Sequence, residues 1–202
     1  MGISVSRETE VRLKLYVDLL LRWQAATNLV SPATLDSIWT RHIADSIQLL
    51  NVASGKPRWV DMGSGSGFPG MVIAISLLGV PGAIVHCIDS DRRKCAFLRE
   101  VAHATGAPVH VHAARVQDVQ LRDTGAIDVI TARAFAAPDT VLRLGKKWLD
   151  AGALGVFPCG RSVLKDLGGA DSFSRYHLVL RESIVEQDAS IVVVRRRAAD
   201  RT

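Results

Sequence analysis

The sequence predicts an α/β fold, in which a short helical extension precedes a doubly wound, mostly parallel sheet of seven strands. Three observations predict it. From Arg58 onward, short apolar runs alternate with helical segments, the rhythm of βαβ units. A glycine-rich turn joins the first of these runs to a helix, and two further apolar runs stand together near residues 176 and 190.

The extension comes first. Ser6 is placed to cap a helix with Glu8 and Glu10 in its opening turn, and Val11, Leu15, Tyr16, Leu19, Leu20 and Trp23 recur at helical spacing. Ser31-Pro32 starts a second helix, a cap followed by proline at the first helical position, with a stripe from Leu35 through Ile38, Trp39, His42, Ile43, Ser46 and Ile47 to Leu50. Strands are expected at 59–61, 83–89, 109–113, 127–131 and 153–157, and helices at 70–78, 92–105 and 140–149, with Gly152 ending the last. The segments 176–181 and 190–197 read as an antiparallel pair closing the sheet, with residues 186–188 in the connecting loop. The 202 residues, 48% of them hydrophobic, suffice for one substantial core and a small lobe, not two full domains. The expected division is a helical lobe at 1–54 and a Rossmann-like domain at 55–202.

Composition narrows the function classes. Cys87, Cys95 and Cys159 are odd in number and form no CxxC pair, which speaks against a disulfide framework or a zinc site. No secretory leader or membrane-length apolar run is visible, so a soluble cytoplasmic protein is expected. Twenty-five Lys and Arg against twenty Asp and Glu give a net charge of +5, mildly favouring a polyanionic partner. The excess gathers at Arg92-Arg93-Lys94, Lys146-Lys147 and Arg195-Arg196-Arg197, any of which can equally be a solvated face.

The strongest chemical signal runs from Val60 through Asp61, Met62, Gly63, Ser64 and Gly65 to Gly67. Glycines at Gly63 and Gly65 let the backbone turn sharply and approach a ligand closely. Asp89 ends the next predicted strand and can accept hydrogen bonds from both ribose hydroxyls of a nucleoside. Gly65-Ser66-Gly67-Phe68-Pro69-Gly70 also fits a dinucleotide fingerprint with an acid about 20 residues later. An NAD(P)-dependent oxidoreductase is therefore one reading, and a glycine turn that merely packs helix on sheet another. S-adenosylmethionine is favoured on two grounds. Asp61 puts a carboxylate at the strand end, suited to a cationic amino group, and Phe68-Pro69 crowds the place of a pyrophosphate.

Further motifs make the pattern selective. With Asn28-Leu29, Arg41-His42-Ile43-Ala44-Asp45-Ser46, the turn from Asp61 to Gly70, Asp89-Ser90, Phe97-Leu98-Arg99 and Arg133-Ala134-Phe135, the chain resembles the bacterial glucose-inhibited division protein B family. These are S-adenosylmethionine-dependent methyltransferases of guanine N7 in the decoding-region loop of small-subunit (16S) ribosomal RNA. The resemblance implies cofactor contacts at Gly63 and Phe68, at Val116 and Gln117, and at Arg133. It implies the ribosomal RNA or the small subunit as partner, and a noncatalytic RNA-binding module is the rival from another class. Two departures stand out: Gln117 where the family usually has an acid, and Phe157-Pro158-Cys159-Gly160 where it usually has Leu-Lys-Gly, leaving Arg161 or Lys165 to substitute for the lysine.

Arg41, His42, Arg92, Arg93 and Lys94 are the RNA-facing candidates. His42 can instead be a core histidine, Arg41 and Asp45 can pair four residues apart, and Arg133 can pair with Asp128 or Asp139. His110 and His112 share one face of a strand without an acid or thiol beside them, so no metal is expected. Guanine N7 offers a lone pair without deprotonation, so no general base is assigned, and Arg133 is the candidate for positioning. A monomer is expected.

Overall fold

The computed structural model describes residues 5–121, 125–134, 136–160, 175–186 and 188–197. Helix α1 spans Arg7–Gln24, and the Ser6 hydroxyl accepts the Thr9 amide as its cap. Its buried face is Leu13, Tyr16, Val17, Leu19 and Leu20. Val11, expected on that face, is 59% exposed. Leu13 and Val17 lie in the same row as Leu20 and Tyr16, and tertiary contact selects that row over its neighbour.

The second expected helix is three pieces: a 3-10 turn at Pro32–Thr34, a π-helix at Trp39–Ala44 and helix α2 at Asp45–Val52. The Thr34, Ser37 and Thr40 hydroxyls bond back to nearby carbonyls, giving the backbone alternatives to an α-helical ladder.

Strands β1 (Arg58–Met62), β2 (Ile84–Asp89), β3 (Val109–Ala113), β4 (Val129–Thr131), β5 (Leu154–Gly160), β6 (Tyr176–Glu182) and β7 (Ala189–Arg196) form one sheet. Their order is β3-β2-β1-β4-β5-β7-β6. The first five run parallel, β7 lies antiparallel against β5, and β6 lies antiparallel against β7. The sheet is therefore the mostly parallel, seven-stranded, Rossmann-like one expected. The strand order reverses between β1 and β4, the switch point at which open α/β sheets bind ligands.

Helices α3 (Gly70–Ser76), α4 (Arg92–Thr105) and α5 (Pro138–Asp150) cover the two faces. Alternation along the strands sends Trp59, Val85, Cys87 and Val129 into one core with α1 to α4, and Val60, Met62, Ile88 and Ile130 into another with α5. Residues 7 to 53 supply Leu13, Tyr16, Leu20, Ile43 and Leu49 to the same core as the sheet.

Candidate active site

The turn after β1 is held from inside. The Gly63 and Ser64 amides both donate to the Ile88 carbonyl, at 2.8 and 3.0 Å. The Gly65 amide donates to Asp89 Oδ2 at 2.8 Å, Gly67 to the Ser64 carbonyl at 2.7 Å, and Gly70 to Asp61 Oδ2 at 3.0 Å. Asp89 Oδ1 accepts the Asp91 amide at 2.8 Å, so the carboxylate that ends β2 is locked against the turn. Carboxylate oxygens carry more lone pairs than these two bonds use. Beside Asp89 a cleft of about 250 Å3 is lined by Gly63, Ile88, Ser90, Ala114, Arg115, Val116 and Gln117. Val116 is buried and Gln117 exposed on a 3-10 turn after β3. Sequence reasoning thus picked four residues, Gly63, Asp89, Val116 and Gln117, that the fold gathers at one cleft. Gly65 stands beside them, its amide bonded to the Asp89 carboxylate.

Two predicted cofactor residues are placed elsewhere. Asp61 is fully enclosed: its carboxylate caps the first amide of α3, and its other oxygen has no hydrogen-bond partner. Burial pushes its acid up to about 7, against the pull of Ser64 and Gly70 and with a smaller push from Asp89. A Cβ on Gly70 would lie 2.6 Å from Asp61 Oδ2, so the acid fills the space that a glycine leaves. Enclosed this way, it shapes the turn and faces no cleft. Phe68 is 6% exposed and stacks on His42 with ring centroids 4.7 Å apart, while Tyr16 tilts against it at 5.3 Å. It joins the turn to the N-terminal helices instead of lying at the cleft. Tyr16 completes the joint by donating its hydroxyl to the Ser66 carbonyl at 2.6 Å.

A second cavity of about 340 Å3 opens beyond the switch point, over β4, β5 and β7. Arg133 stands at its wall, just past β4, where Nη2 donates to the Arg41 carbonyl at 2.8 Å and Nη1 lies 3.5 Å from Asp45 Oδ2. The expectation that Arg41 and Asp45 pair with each other does not hold, nor does the choice of Asp128 or Asp139 for Arg133. Arg41 reaches Glu186 instead, Nε to Oε1 at 3.5 Å, and Asp45 takes Arg133 and accepts the Gln48 amide at 2.7 Å. Gln48 in turn donates to the Ser183 hydroxyl and accepts the Ile184 amide, both at 3.0 Å, tying α2 to the loop between β6 and β7. Burial raises the Asp45 acid, and the neighbouring Arg133 charge opposes that rise. Glu186, which lines the cavity, and Gln48 and Ser183, which fasten its loop, were missed by sequence reasoning because only folding brings them together. Pro158 and Cys159 lie within β5, paired with Ile191 and Ser190, while Phe135, Arg161 and Lys165 fall outside the described residues.

The remaining candidates divide by burial. His42 bonds to Thr34 Oγ1 at 3.0 Å, and its Nδ1 is buried without a partner. Burial, then the charges of Arg133 and Arg41, holds its pKa down to about 4, so it is neutral at physiological pH and carries no charge toward RNA. Arg92 and Arg93 are exposed and Lys94 half-buried in the first turn of α4, which Asp91 caps at 2.8 and 3.2 Å. His86 joins His110 and His112, with His86 Nδ1 3.0 Å from His112 Nε2. Among the described residues no group of three potential ligands has the geometry to hold a metal. Nor is any described helix long and apolar enough to cross a membrane.

Comparison with known proteins agrees with this arrangement. The sheet resembles that of a SAM-dependent methyltransferase from Aquifex aeolicus, with a TM-score of 0.57 at 16% identity over 83% of this chain and 94% of that one. Ribosomal RNA small subunit methyltransferase G of Methylorubrum populi is 44% identical over 95% of this chain and 90% of its own length. The protein of the same name from a Bradyrhizobium strain is 48% identical over 81% of this chain and 73% of its own. The family model for rRNA small subunit methyltransferase G matches residues 9–188. Covering the first cleft, most of the second cavity's lining and the helices that join them, that match makes this chain a member of the GidB family, rRNA small subunit methyltransferase G.

Proposed function

We propose that the protein transfers the methyl group of S-adenosylmethionine to N7 of a guanine in small-subunit ribosomal RNA. The observation that carries the cofactor assignment is the inward use of the turn's amides. Gly63, Ser64, Gly65, Gly67 and Gly70 all donate within the protein. A dinucleotide needs such amides free for its pyrophosphate, whereas S-adenosylmethionine carries no phosphate and asks only for close backbone approach. The residues present fit it. Asp89 has acceptor capacity for the ribose hydroxyls, Val116 and Gln117 flank the adenine, Gly63 leaves room beside the methionine, and Arg133 borders the acceptor side. When bound, the cofactor supplies an electrophilic methyl on a sulfonium.

The chain's own contribution is orientation. The cofactor cleft lies over β3, β2 and β1 and the second cavity over β4, β5 and β7, so donor and acceptor meet across the switch point. N7 attacks with its own lone pair, so alignment of the reacting atoms and exclusion of water lower the barrier without a general base. Exposed Arg92, Arg93 and Arg41 give the RNA backbone cations at the same rim. The protein acts as a cytoplasmic monomer.

The test is methyl transfer from labelled S-adenosylmethionine to naked 16S RNA, to assembly intermediates and to small subunits, with the product mapped by chemical cleavage at N7-methylguanine. One cleaved guanine in the decoding region is expected. A methyl on another atom, or tight binding of a dinucleotide in calorimetry, would overturn the assignment.

A further inference from the structure

Building on this methyl-transfer reading, we propose that the 340 Å3 cavity receives the target base and that Glu186 identifies it as guanine. Val141 and Leu142 of α5, Phe157 of β5 and Val192 of β7 give the cavity apolar walls, suited to holding a planar ring by its faces. Its polar residues are Arg41, Asp45, Arg133 and Glu186.

The chemistry of the reaction decides which edge of the base these groups read. Arginine usually recognises guanine through O6 and N7. Here N7 is the nucleophile and its lone pair has to stay free. Recognition therefore falls on the opposite edge, where N1–H and the 2-amino group are both donors and call for a carboxylate. Asp45 is poorly suited: its side chain is 9% exposed and already engaged by Gln48 and Arg133. Glu186 is 38% exposed, and its contact with Arg41 is a loose 3.5 Å. Its backbone amide is held by Ser183 Oγ at 3.1 Å, and the same Ser183 is bonded to Gln48, so the reader and Arg133 share one frame. On entry of the base, Glu186 accepts N1–H and the 2-amino group and releases Arg41 to a flanking phosphate. Adenine also offers an N7 lone pair but lacks this pair of donors, so the carboxylate discriminates where the nucleophile cannot.

The test pairs a protein change with a base change. Inosine at the target position keeps N7, O6 and N1–H and lacks only the 2-amino group. Wild type is expected to lose roughly 10-fold or more in kcat/KM on inosine RNA, and Glu186→Ala to lose roughly 10- to 100-fold on guanine RNA with little further loss on inosine. Glu186→Gln, which keeps one acceptor, falls between them, and S-adenosylmethionine binds all three proteins equally in calorimetry. Equal wild-type rates on guanine and inosine, or an undiminished inosine penalty in Glu186→Ala, would overturn Glu186 as the reader. Failure of the wild type to methylate guanine RNA at all would instead overturn the methyl-transfer reading beneath it.

Discussion

His42 shows how little a residue's type reveals of its work. It lies in a motif rich in polar side chains, yet its ring is pressed on Phe68 and its pKa is held near 4. The unfolded chain takes up this proton near 6.5, so between those values the unfolded state binds more protons. The stability His42 contributes is complete above pH 6.5 and is lost as pH falls toward 4. Buried His86, also held to about 4, acts with the same sign, whereas Asp61, raised to about 7, favours the fold as pH falls below 7. His42→Gln isolates the first effect: between pH 6.5 and 4.5 the wild-type melting temperature should fall more steeply than the variant's. Parallel curves would show that His42 does not titrate with folding. Asp89 was legible in the sequence because a strand end and a glycine turn place it. The enclosure of Asp61 and Phe68 was not legible, because it depends on Gly70, Tyr16 and His42, partners that no local pattern specifies.

At the scale of elements, strands were the most legible, since the unbroken buried runs of β2 and β5 report two covered faces directly. The helix expected from Ser31 was not. Its apolar spacing is compatible with 3-10, π and α turns alike, and what separates them is tertiary: the Arg41 carbonyl meets Arg133, and Asp45 opens α2 facing the same guanidinium. π-turns of this sort are frequent at functional sites. α2 also carries Gln48, which fastens the β6–β7 loop, and with it Glu186, to the rim. Gln48→Ala leaves the Ile184 amide and Asp45 Oδ1 without this partner, so a loss of about 1–3 kcal/mol is expected in urea unfolding. Methylation should fall along with it, since the acceptor cavity loses its anchored wall. A stability change below about 0.5 kcal/mol would make the loop independent of α2.

For the whole molecule, the sequence suggested a lobe and a domain, and packing joins them. Five buried α1 residues, at roughly 1.5–3 kcal/mol each, contribute on the order of 10 kcal/mol as an upper estimate. Burial of that size couples α1 to the sheet, so the two are expected to unfold together. Unfolding in urea should give one transition, coincident by circular dichroism and by tryptophan fluorescence, which includes Trp23 on α1. Two separated transitions would restore the lobe as an independent unit. The placing of both clefts at the switch point was legible only as a rule about such sheets, because strand order is not encoded in any single segment. The position of β7 has a further consequence, for synthesis. It is translated after β6 yet lies between β5 and β6, so a nascent chain carries β5 with an unpaired edge until both later strands have emerged. Until β7 docks, that open edge is a template for pairing with another chain, so the newly made protein is exposed to aggregation in the interval before its acceptor cavity exists.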